Sequence, residues 1–283
     1  MPFTTLVTAP TLLDNLANPD WLIIDVRHDL AAPESGHAAW KAGHIPGAFF
    51  LHMDNDLSAP KTGRNGRHPL PDRQTFAALI SHLGATPQTQ IVAYDAQGGM
   101  MAARLWWMLR WIGHTEVAVL DGGIQAWQAL GAPIETRAPH PRRAGGLGMR
   151  ESLVRTVNAN EVLQNISTGK HLVVDARSPD RFRGENESMD PVGGHIPGAR
   201  NRFFKDNLLE AGTFKEPAQL RKEFLDVFGR YPPAQVIAQC GSGVTACHNL
   251  LALEIAGLDG VALYPGSWSE WCSDPANPVA TGA

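Results

Sequence analysis

The chain has 283 residues, enough for two domains of ordinary size, and 43% of them are hydrophobic, as in globular proteins that fold in water. A formal net charge of −4 provides no basic surface for nucleic acid or an anionic membrane, and the apolar stretches are too short to cross a bilayer. Three cysteines are too few for a disulfide framework, and the N-terminus lacks a secretory signal pattern, so we expect a cytoplasmic protein.

The first half of the chain alternates predicted strands with predicted helices. In chain order these features are a strand at 21–27 that ends in Asp-Val-Arg, the motif Gly-His-Ile-Pro-Gly-Ala at 43–48, a helix at 74–83, a strand at 90–95, a helix at 102–111 and the segment Leu-Asp-Gly-Gly-Ile-Gln-Ala-Trp at 120–127. The strand patterns are apolar and β-branched, which is typical of parallel strands covered by helices.

The second half repeats these features in the same order. The matching features are a strand at 171–177 that ends in Asp-Ala-Arg, a second Gly-His-Ile-Pro-Gly-Ala at 194–199, a helix at 218–228, a strand at 235–240 followed by a loop and a helix, and the segment at 264–271. A further helical stretch at 161–165 precedes the first of these strands. A spacing of 144 to 151 residues between four matching anchors indicates a duplicated domain. We therefore predict an α/β fold in tandem, with domains at 1–136 and 152–283 and a linker rich in Pro, Gly and Arg at 137–151.

Cys240 ends the last predicted strand and begins a Gly-Ser-Gly turn that leads into a helix. The glycines allow successive backbone N–H groups to turn toward the sulfur, and the positive end of the helix points at the same place. Both effects favour a thiolate, which is the nucleophilic form of cysteine. The matching position in the first half is Asp95, so the sequence predicts one reactive domain and one scaffold domain.

These paired motifs, together with Gly-Ser-Trp-Ser-Glu-Trp at 266–271 and the loop Cys-Gly-Ser-Gly-Val-Thr-Ala at 240–246, resemble the rhodanese superfamily. The similarity is greatest to its two-domain sulfurtransferases of the 3-mercaptopyruvate type. It implies that Cys240 takes sulfur from a donor, becomes a persulfide and passes the outer sulfur to a thiol such as thioredoxin or glutathione, or to cyanide. We also expect a monomer, and nothing in the sequence suggests a metal or an organic cofactor, since no Cys/His spacing is typical of zinc.

The resemblance also implies which residues hold the donor. They are Arg181 and the loop residues Gly241, Ser242, Gly243, Val244 and Thr245, with His44 as a proton relay to Ser242. Thiosulfate enzymes of the family carry Arg-Lys where this chain has Gly241 and Ser242, so a singly charged mercapto acid is favoured over a dianion. The second donor-binding arginine of many mercaptopyruvate enzymes has no counterpart in the segment 185–192.

Three alternatives to this function remain. A thiosulfate:cyanide sulfurtransferase would use the same persulfide, and a binding module would use no chemistry at all. A cysteine phosphatase is disfavoured because the sixth position after Cys240 is Ala246, where that class needs an arginine. Outside the loop we expect Cys247 and Cys272 to fill apolar space, His195 to be structural, and the Asp-x-Arg motifs to form ion pairs.

Overall fold

The computed structural model describes residues 2–283, and the described chain separates into two compact units. The first unit contains the residues up to Ala59 together with Pro71–Leu153 and Glu210–Phe214. The second contains Pro60–Leu70, Val154–Leu209 and Lys215–Ala283. The segment Pro60–Leu70 therefore belongs to the first half of the sequence and to the second unit of the structure.

The first unit is a five-stranded parallel sheet in the order β1-β5-β4-β2-β3. Its elements are β1 (Leu6–Val7), α1 (Ala9–Asp14), β2 (Trp21–Asp25), α2 (Ser35–Ala42), β3 (Phe49–Phe50), α3 (Arg73–His82), β4 (Gln90–Tyr94), α4 (Ala102–Trp111), β5 (Val117–Leu120) and α5 (Gly123–Ala129). Strands β2 and β4 are buried along their whole length, as their continuous apolar runs predict.

The second unit repeats this topology, with a parallel sheet in the order β6-β10-β9-β7-β8. Its elements are β6 (Arg155–Thr156), α6 (Ala159–Thr168), β7 (Leu172–Asp175), α7 (Pro179–Arg183), β8 (Arg200–Asn201), α8 (Pro217–Phe228), β9 (Val236–Gln239), α9 (Thr245–Ile255), β10 (Ala262–Leu263) and α10 (Ser267–Trp271), with 3₁₀ turns at Phe204–Asn207 and Pro233–Gln235. The predicted α/β duplication is confirmed.

Each sheet packs a tryptophan-rich core against one face. Trp127 of α5 is fully buried in the first unit, and Trp268 and Trp271 of α10 are fully buried in the second. The indole N–H of Trp127 donates to Pro133 O, and that of Trp271 donates to Pro278 O. Trp127 and Trp271 thus each have a buried ring and a hydrogen-bonded indole N–H. These contacts hold α5 after β5 in the first unit and α10 after β10 in the second.

The segment predicted as a linker packs along the first unit. The N–H groups of Gly145, Leu147 and Arg150 donate to carbonyl oxygens of Ser81, Ala85 and Ile112. None of the described helices has both the length and the apolar character that a bilayer span requires.

Candidate active site

Cys240 lies at the carboxyl end of β9, an inner strand of the second sheet, in the loop before α9. In parallel sheets this edge is the usual place for a binding site. The cysteine is 1% exposed, and its Sγ accepts the backbone N–H of Gly243 at 3.1 Å. The sequence-predicted strand, turn and helix around the sulfur are therefore present.

The loop is held in place by the turn that starts α10. The N–H of Trp268 donates to Cys240 O, and the N–H of Ser269 donates to Gly241 O, both at 2.9 Å. Ser267 Oγ accepts the Cys240 N–H at 3.1 Å and donates to Tyr264 O at 2.9 Å. Ser267 has φ +55°, the one positive value among the described residues other than glycine. This strain is sustained because hydrogen bonds fix the serine on both sides.

The two loop glycines have different reasons to be glycine. Gly243 has φ +77°, and a Cβ there would overlap the carbonyl oxygen of Pro265. Gly241 has an ordinary φ, but a Cβ would lie 2.7 Å from Nη2 of Arg67 and 3.6 Å from Nη2 of Arg181. The absence of a side chain at Gly241 lets two guanidinium groups approach the loop.

Asp95 shows what the matching loop of the first unit holds. Its Oδ1 accepts the N–H groups of Gln97 at 2.8 Å and Gly99 at 2.9 Å. Its Oδ2 accepts those of Met101 at 2.7 Å and Ala102 at 2.9 Å. Four backbone donors on one buried carboxylate make this strand–loop–helix junction an anion cradle. The duplicated junction places Cys240 at the corresponding position.

Arg177 links the end of β7 to the second Gly-His-Ile-Pro-Gly-Ala turn. It forms an ion pair with Asp175 at 2.6 Å, donates to Gly194 O at 2.7 Å and lies 4.7 Å from the Trp268 ring centre. Burial alone would lower the pKa of Arg177, but the Asp175 carboxylate and, to a smaller extent, Glu187 and Cys240 raise it.

The first unit contains the same arrangement. Arg27 pairs with Asp25 at 2.6 Å and donates to Gly43 O at 2.7 Å. The predicted ion pairs of both Asp-x-Arg motifs are confirmed. In each unit the arginine joins the end of the strand that carries the motif, β2 or β7, to the Gly-His-Ile-Pro-Gly-Ala turn.

Arg181 and Arg67 share one buried carboxylate, that of Asp190, and Arg181 also binds Glu187. Arg181 donates to both oxygens of Glu187, at 3.0 and 2.9 Å, and to Asp190 Oδ2 at 3.3 Å. Arg67 donates to Asp190 Oδ1. The guanidinium-bearing side chains are 18% and 24% exposed, so both remain accessible from solvent. Sequence reasoning missed Arg67 because it lies 174 residues before Gly241, in a turn without a periodic pattern.

The histidine beside Ser242 is His68. Its Nδ1 lies 2.7 Å from Ser242 Oγ, and both side chains are buried. His44, which the sequence analysis assigned to this relay, stacks on Trp40 in the first unit and bonds Trp40 O through Nδ1 at 2.7 Å. The histidine that bonds Ser242 is thus His68, whereas the sequence analysis expected His44. The ring of His44 is fixed by local packing in its own turn.

His195 occupies the same place in the second unit as His44 in the first. It stacks on Phe182 at 3.8 Å and bonds Phe182 O at 2.9 Å. Cys247 and Cys272 are buried free thiols, and Cys247 donates to Gly243 O at 3.2 Å. Burial, together with the nearby Asp190 charge, raises the pKa of Cys272 to about 11, so this thiol stays protonated at neutral pH.

One group in the described part of the chain has metal-like spacing, namely His28, His52 and Asp54 in the first unit. His52 Nδ1 accepts the backbone N–H of Asp54 at 3.1 Å. A neutral imidazole that accepts at Nδ1 carries its proton on Nε2, so that nitrogen offers no lone pair to a metal. The hydrogen bond of His52 therefore does not favour metal binding through that residue.

A family model described as the rhodanese-like domain matches the chain twice, at residues 8–130 and 158–274. A protein of Pseudomonas aeruginosa named probable 3-mercaptopyruvate sulfurtransferase is 43% identical over an alignment of 284 positions, which covers 100% of this chain and 100% of that protein. The thiosulfate sulfurtransferase of Rattus norvegicus is 33% identical, with 93% of this chain and 89% of the rat chain covered. The crystal structure of an Escherichia coli protein described as a 3-mercaptopyruvate sulfotransferase superposes with a TM-score of 0.80 at 31% identity, covering 94% of this chain and 99% of that chain.

Proposed function

Because the chain belongs to the rhodanese-like family and is a sulfurtransferase, we propose that its donor is 3-mercaptopyruvate and that the sulfur passes through a persulfide on Cys240. The observation that carries this proposal is the duplicated strand–loop–helix junction. In the first unit this junction binds the Asp95 carboxylate through four N–H groups, and in the second the corresponding residue is Cys240, whose Sγ accepts the N–H of Gly243. A terminal persulfide is an anion of the kind that such a loop stabilises.

In the first step the Cys240 thiolate attacks the sulfur of the donor. A new S–S bond forms, the C–S bond of mercaptopyruvate breaks, and its electron pair leaves on carbon as the enolate of pyruvate. One proton then converts the enolate to pyruvate. We assign the delivery of that proton to Ser242 and His68, and the 2.7 Å distance between Ser242 Oγ and His68 Nδ1 supports this assignment.

In the second step an acceptor thiolate attacks the outer sulfur of the persulfide, and the S–S bond breaks to restore the Cys240 thiolate. Cyanide reacts at the same sulfur to give thiocyanate. Splitting one transfer into two substitutions at sulfur is the usual benefit of a covalent intermediate. We propose a thiol of the thioredoxin or glutathione type as acceptor, and a monomer working in a reducing compartment such as the cytoplasm. The three free cysteines support that compartment.

The donor carboxylate is assigned to Arg181 and Arg67. Both guanidinium groups lie over Gly241, next to the nucleophile. A guanidinium grips a carboxylate with two parallel hydrogen bonds, which orients the donor as well as attracting it. Gly241 and Ser242 themselves add no positive charge, which supports mercaptopyruvate over thiosulfate.

Mass spectrometry of the Cys240 peptide tests the persulfide directly. After incubation with 3-mercaptopyruvate and without acceptor, we expect the peptide to gain the mass of one sulfur atom, and later addition of cyanide to remove it. Cys240→Ser should abolish both the mass gain and thiocyanate formation, whereas Cys247→Ser should retain them. Turnover by Cys240→Ser would refute the nucleophile assignment, and a higher kcat/KM for thiosulfate would reassign the donor.

A further inference from the structure

The donor site contains as many carboxylates as guanidinium groups. Arg67, Arg177 and Arg181 face Asp175, Glu187 and Asp190 through the ion pairs already described. The Cys240 loop therefore has two arginines within reach but no surplus positive charge. A site whose arginine charges are already balanced by carboxylates attracts a doubly charged donor less than its arginines alone would suggest.

Asp190 differs from the other carboxylates in how it is held. Its side chain is 3% exposed, and it lies between the two guanidinium groups, on Nη1 of Arg67 and at 3.3 Å from Nη2 of Arg181. Burial raises the pKa of Asp190. The positive charge of Arg67, which lowers this pKa more than that of Arg181 does, offsets the effect of burial only in part. The Asp190 carboxylate is thus bonded to the same two guanidinium groups to which the donor carboxylate is assigned.

Glu187 has a different role in the same segment. It accepts the backbone N–H groups of Met189 and Asp190, at 2.9 and 3.1 Å, in addition to the Arg181 side chain. Burial alone would raise the pKa of Glu187, but Arg181 and the N–H of Met189 hold it below its usual value. Glu187 thus shapes the loop. Asp190 accepts hydrogen bonds from the side chains of Arg67 and Arg181, so its replacement by a neutral residue changes the charge of the site and leaves the turn made by Glu187 in place.

We propose that Asp190 is a specificity-determining residue that selects a singly charged donor over a doubly charged one, with Arg67 and Arg181 as the guanidinium groups whose charge it balances. The inference rests on the proposed function, because it concerns the donor site of that reaction. Like charges at short range in a partly buried site repel strongly. The Asp190 carboxylate therefore opposes thiosulfate more than it opposes mercaptopyruvate.

Three variants test this charge balance through kcat/KM for both donors with cyanide as acceptor. Asp190→Asn should raise the ratio of thiosulfate to mercaptopyruvate by about tenfold or more, since one negative charge is removed next to the dianion. Arg67→Gln should lower kcat/KM for both donors and move the ratio the other way. The double variant Arg67→Gln/Asp190→Asn restores the original net charge, so its ratio should return to near that of the wild type.

Glu185→Gln is the matched control, because Glu185 lies in the same segment but is 53% exposed and pairs with Arg183. It should leave the ratio unchanged. A folded Asp190→Asn with the wild-type ratio, or a shift in the same direction for Asp190→Asn and Arg67→Gln, would overturn the proposal. Circular dichroism and thermal unfolding establish folding, and if Asp190→Asn does not fold, Arg67→Gln and the double variant decide the question.

Calorimetry separates the failure of this inference from the failure of the proposed function. Binding of sulfate, a dianion, and pyruvate, a monoanion, is measured to the wild type and to Asp190→Asn without turnover. The variant should gain affinity for sulfate by about tenfold relative to pyruvate, in line with the kinetic ratio. If the affinity of Asp190→Asn for sulfate does not rise relative to its affinity for pyruvate, the proposed role of Asp190 is wrong, even if the enzyme is active. A wild type that transfers sulfur from neither donor refutes the proposed function whatever the calorimetry shows.

Discussion

Ser242 and His68 are two buried side chains that meet beside the cysteine loop, with 2.7 Å between Oγ and Nδ1. A hydroxyl can donate one proton while it accepts another from a neighbouring imidazole, so the pair can transfer a proton to a reacting group. The two donors differ in their need for that proton. Pyruvate leaves as a basic enolate carbon, whereas sulfite leaves thiosulfate as a stable anion.

Ser242→Ala should therefore slow the mercaptopyruvate reaction more than the thiosulfate reaction. We expect kcat with mercaptopyruvate to fall about 100-fold, as for the loss of general acid catalysis, and a smaller loss with thiosulfate. His68→Asn should show the same donor dependence, while the exposed Ser167→Ala should leave kcat unchanged for both donors. Equal losses for the two donors would mean that the pair only positions the loop.

The residue scale also shows what sequence motifs reveal about this site. Cys240 was predicted from a local pattern, a strand followed by a glycine turn, whereas Arg181 was predicted from the family resemblance, by its position four residues after the arginine of the Asp-x-Arg motif. Arg67 and His68 could not be predicted in this way, because their partners lie more than 120 residues away along the chain. Only folding brings these separate segments together, so a single sequence contains no local sign of the contact.

At the scale of elements, the Glu223 carboxylate connects helix α8 to two residues that precede the helix in the chain. Glu223 accepts hydrogen bonds from Arg202 at 2.6 Å and from Lys215 Nζ at 3.0 Å. Burial by itself would raise the pKa of Glu223, but Arg202, Gln219 and Lys215 lower it to about 2. The residues before and after the 3₁₀ turn Phe204–Asn207 are thereby held on the helix.

Glu223→Gln should lower the melting temperature at pH 7, because three hydrogen-bond donors lose their charged acceptor. The ordinary glutamate pKa of 4.5 applies to the unfolded chain and about 2 to the folded one. The stabilising contribution is therefore complete above pH 4.5 and disappears as the pH falls toward 2. Thermal unfolding should show that the difference in melting temperature between the wild type and Glu223→Gln decreases as the pH falls across this range.

Glu216→Gln is the matched control on the same helix. Glu216 is exposed at the N-cap of α8 and makes no side-chain cap hydrogen bond. Its melting temperature should follow that of the wild type at every pH. A Glu223→Gln gap that stays constant from pH 7 to pH 2 would contradict the ionic origin of the effect.

Element prediction succeeded where a segment has an apolar run or period, as in β2, β4, β9, α3 and α8. It failed for β1, β3, β6 and β8, since each has only two residues and a pattern of period two needs more. Helix α6 is longer than the predicted 161–165. A capping box of Asn158 and Glu161 begins it at Ala159, and Gly169 ends it in the left-handed region.

At the scale of the whole molecule, the duplication has left two units of the same topology with different sites. Seven residues separate β4 from α4 around Asp95, whereas five separate β9 from α9 around Cys240. The position that corresponds to Arg181 is Ala31. The segment Pro60–Leu70, which contains Arg67 and His68, also belongs to the second unit. The contiguous halves expected from the sequence could not include this placement, because nothing local in the segment specifies it.

A cysteine at position 95 should therefore not create a second active site. In the double variant Asp95→Cys/Cys240→Ser the new thiol would lie in an anion cradle, yet without a counterpart of Arg181 to hold a donor. We expect sulfur transfer below about 1% of the wild-type rate, because a nucleophile alone has no residues to position the donor or to transfer a proton to the leaving group. Mass spectrometry should find no added sulfur on the peptide that contains residue 95 after incubation with mercaptopyruvate. A persulfide there would show that the backbone loop is sufficient for the chemistry and that the arginines only tune it.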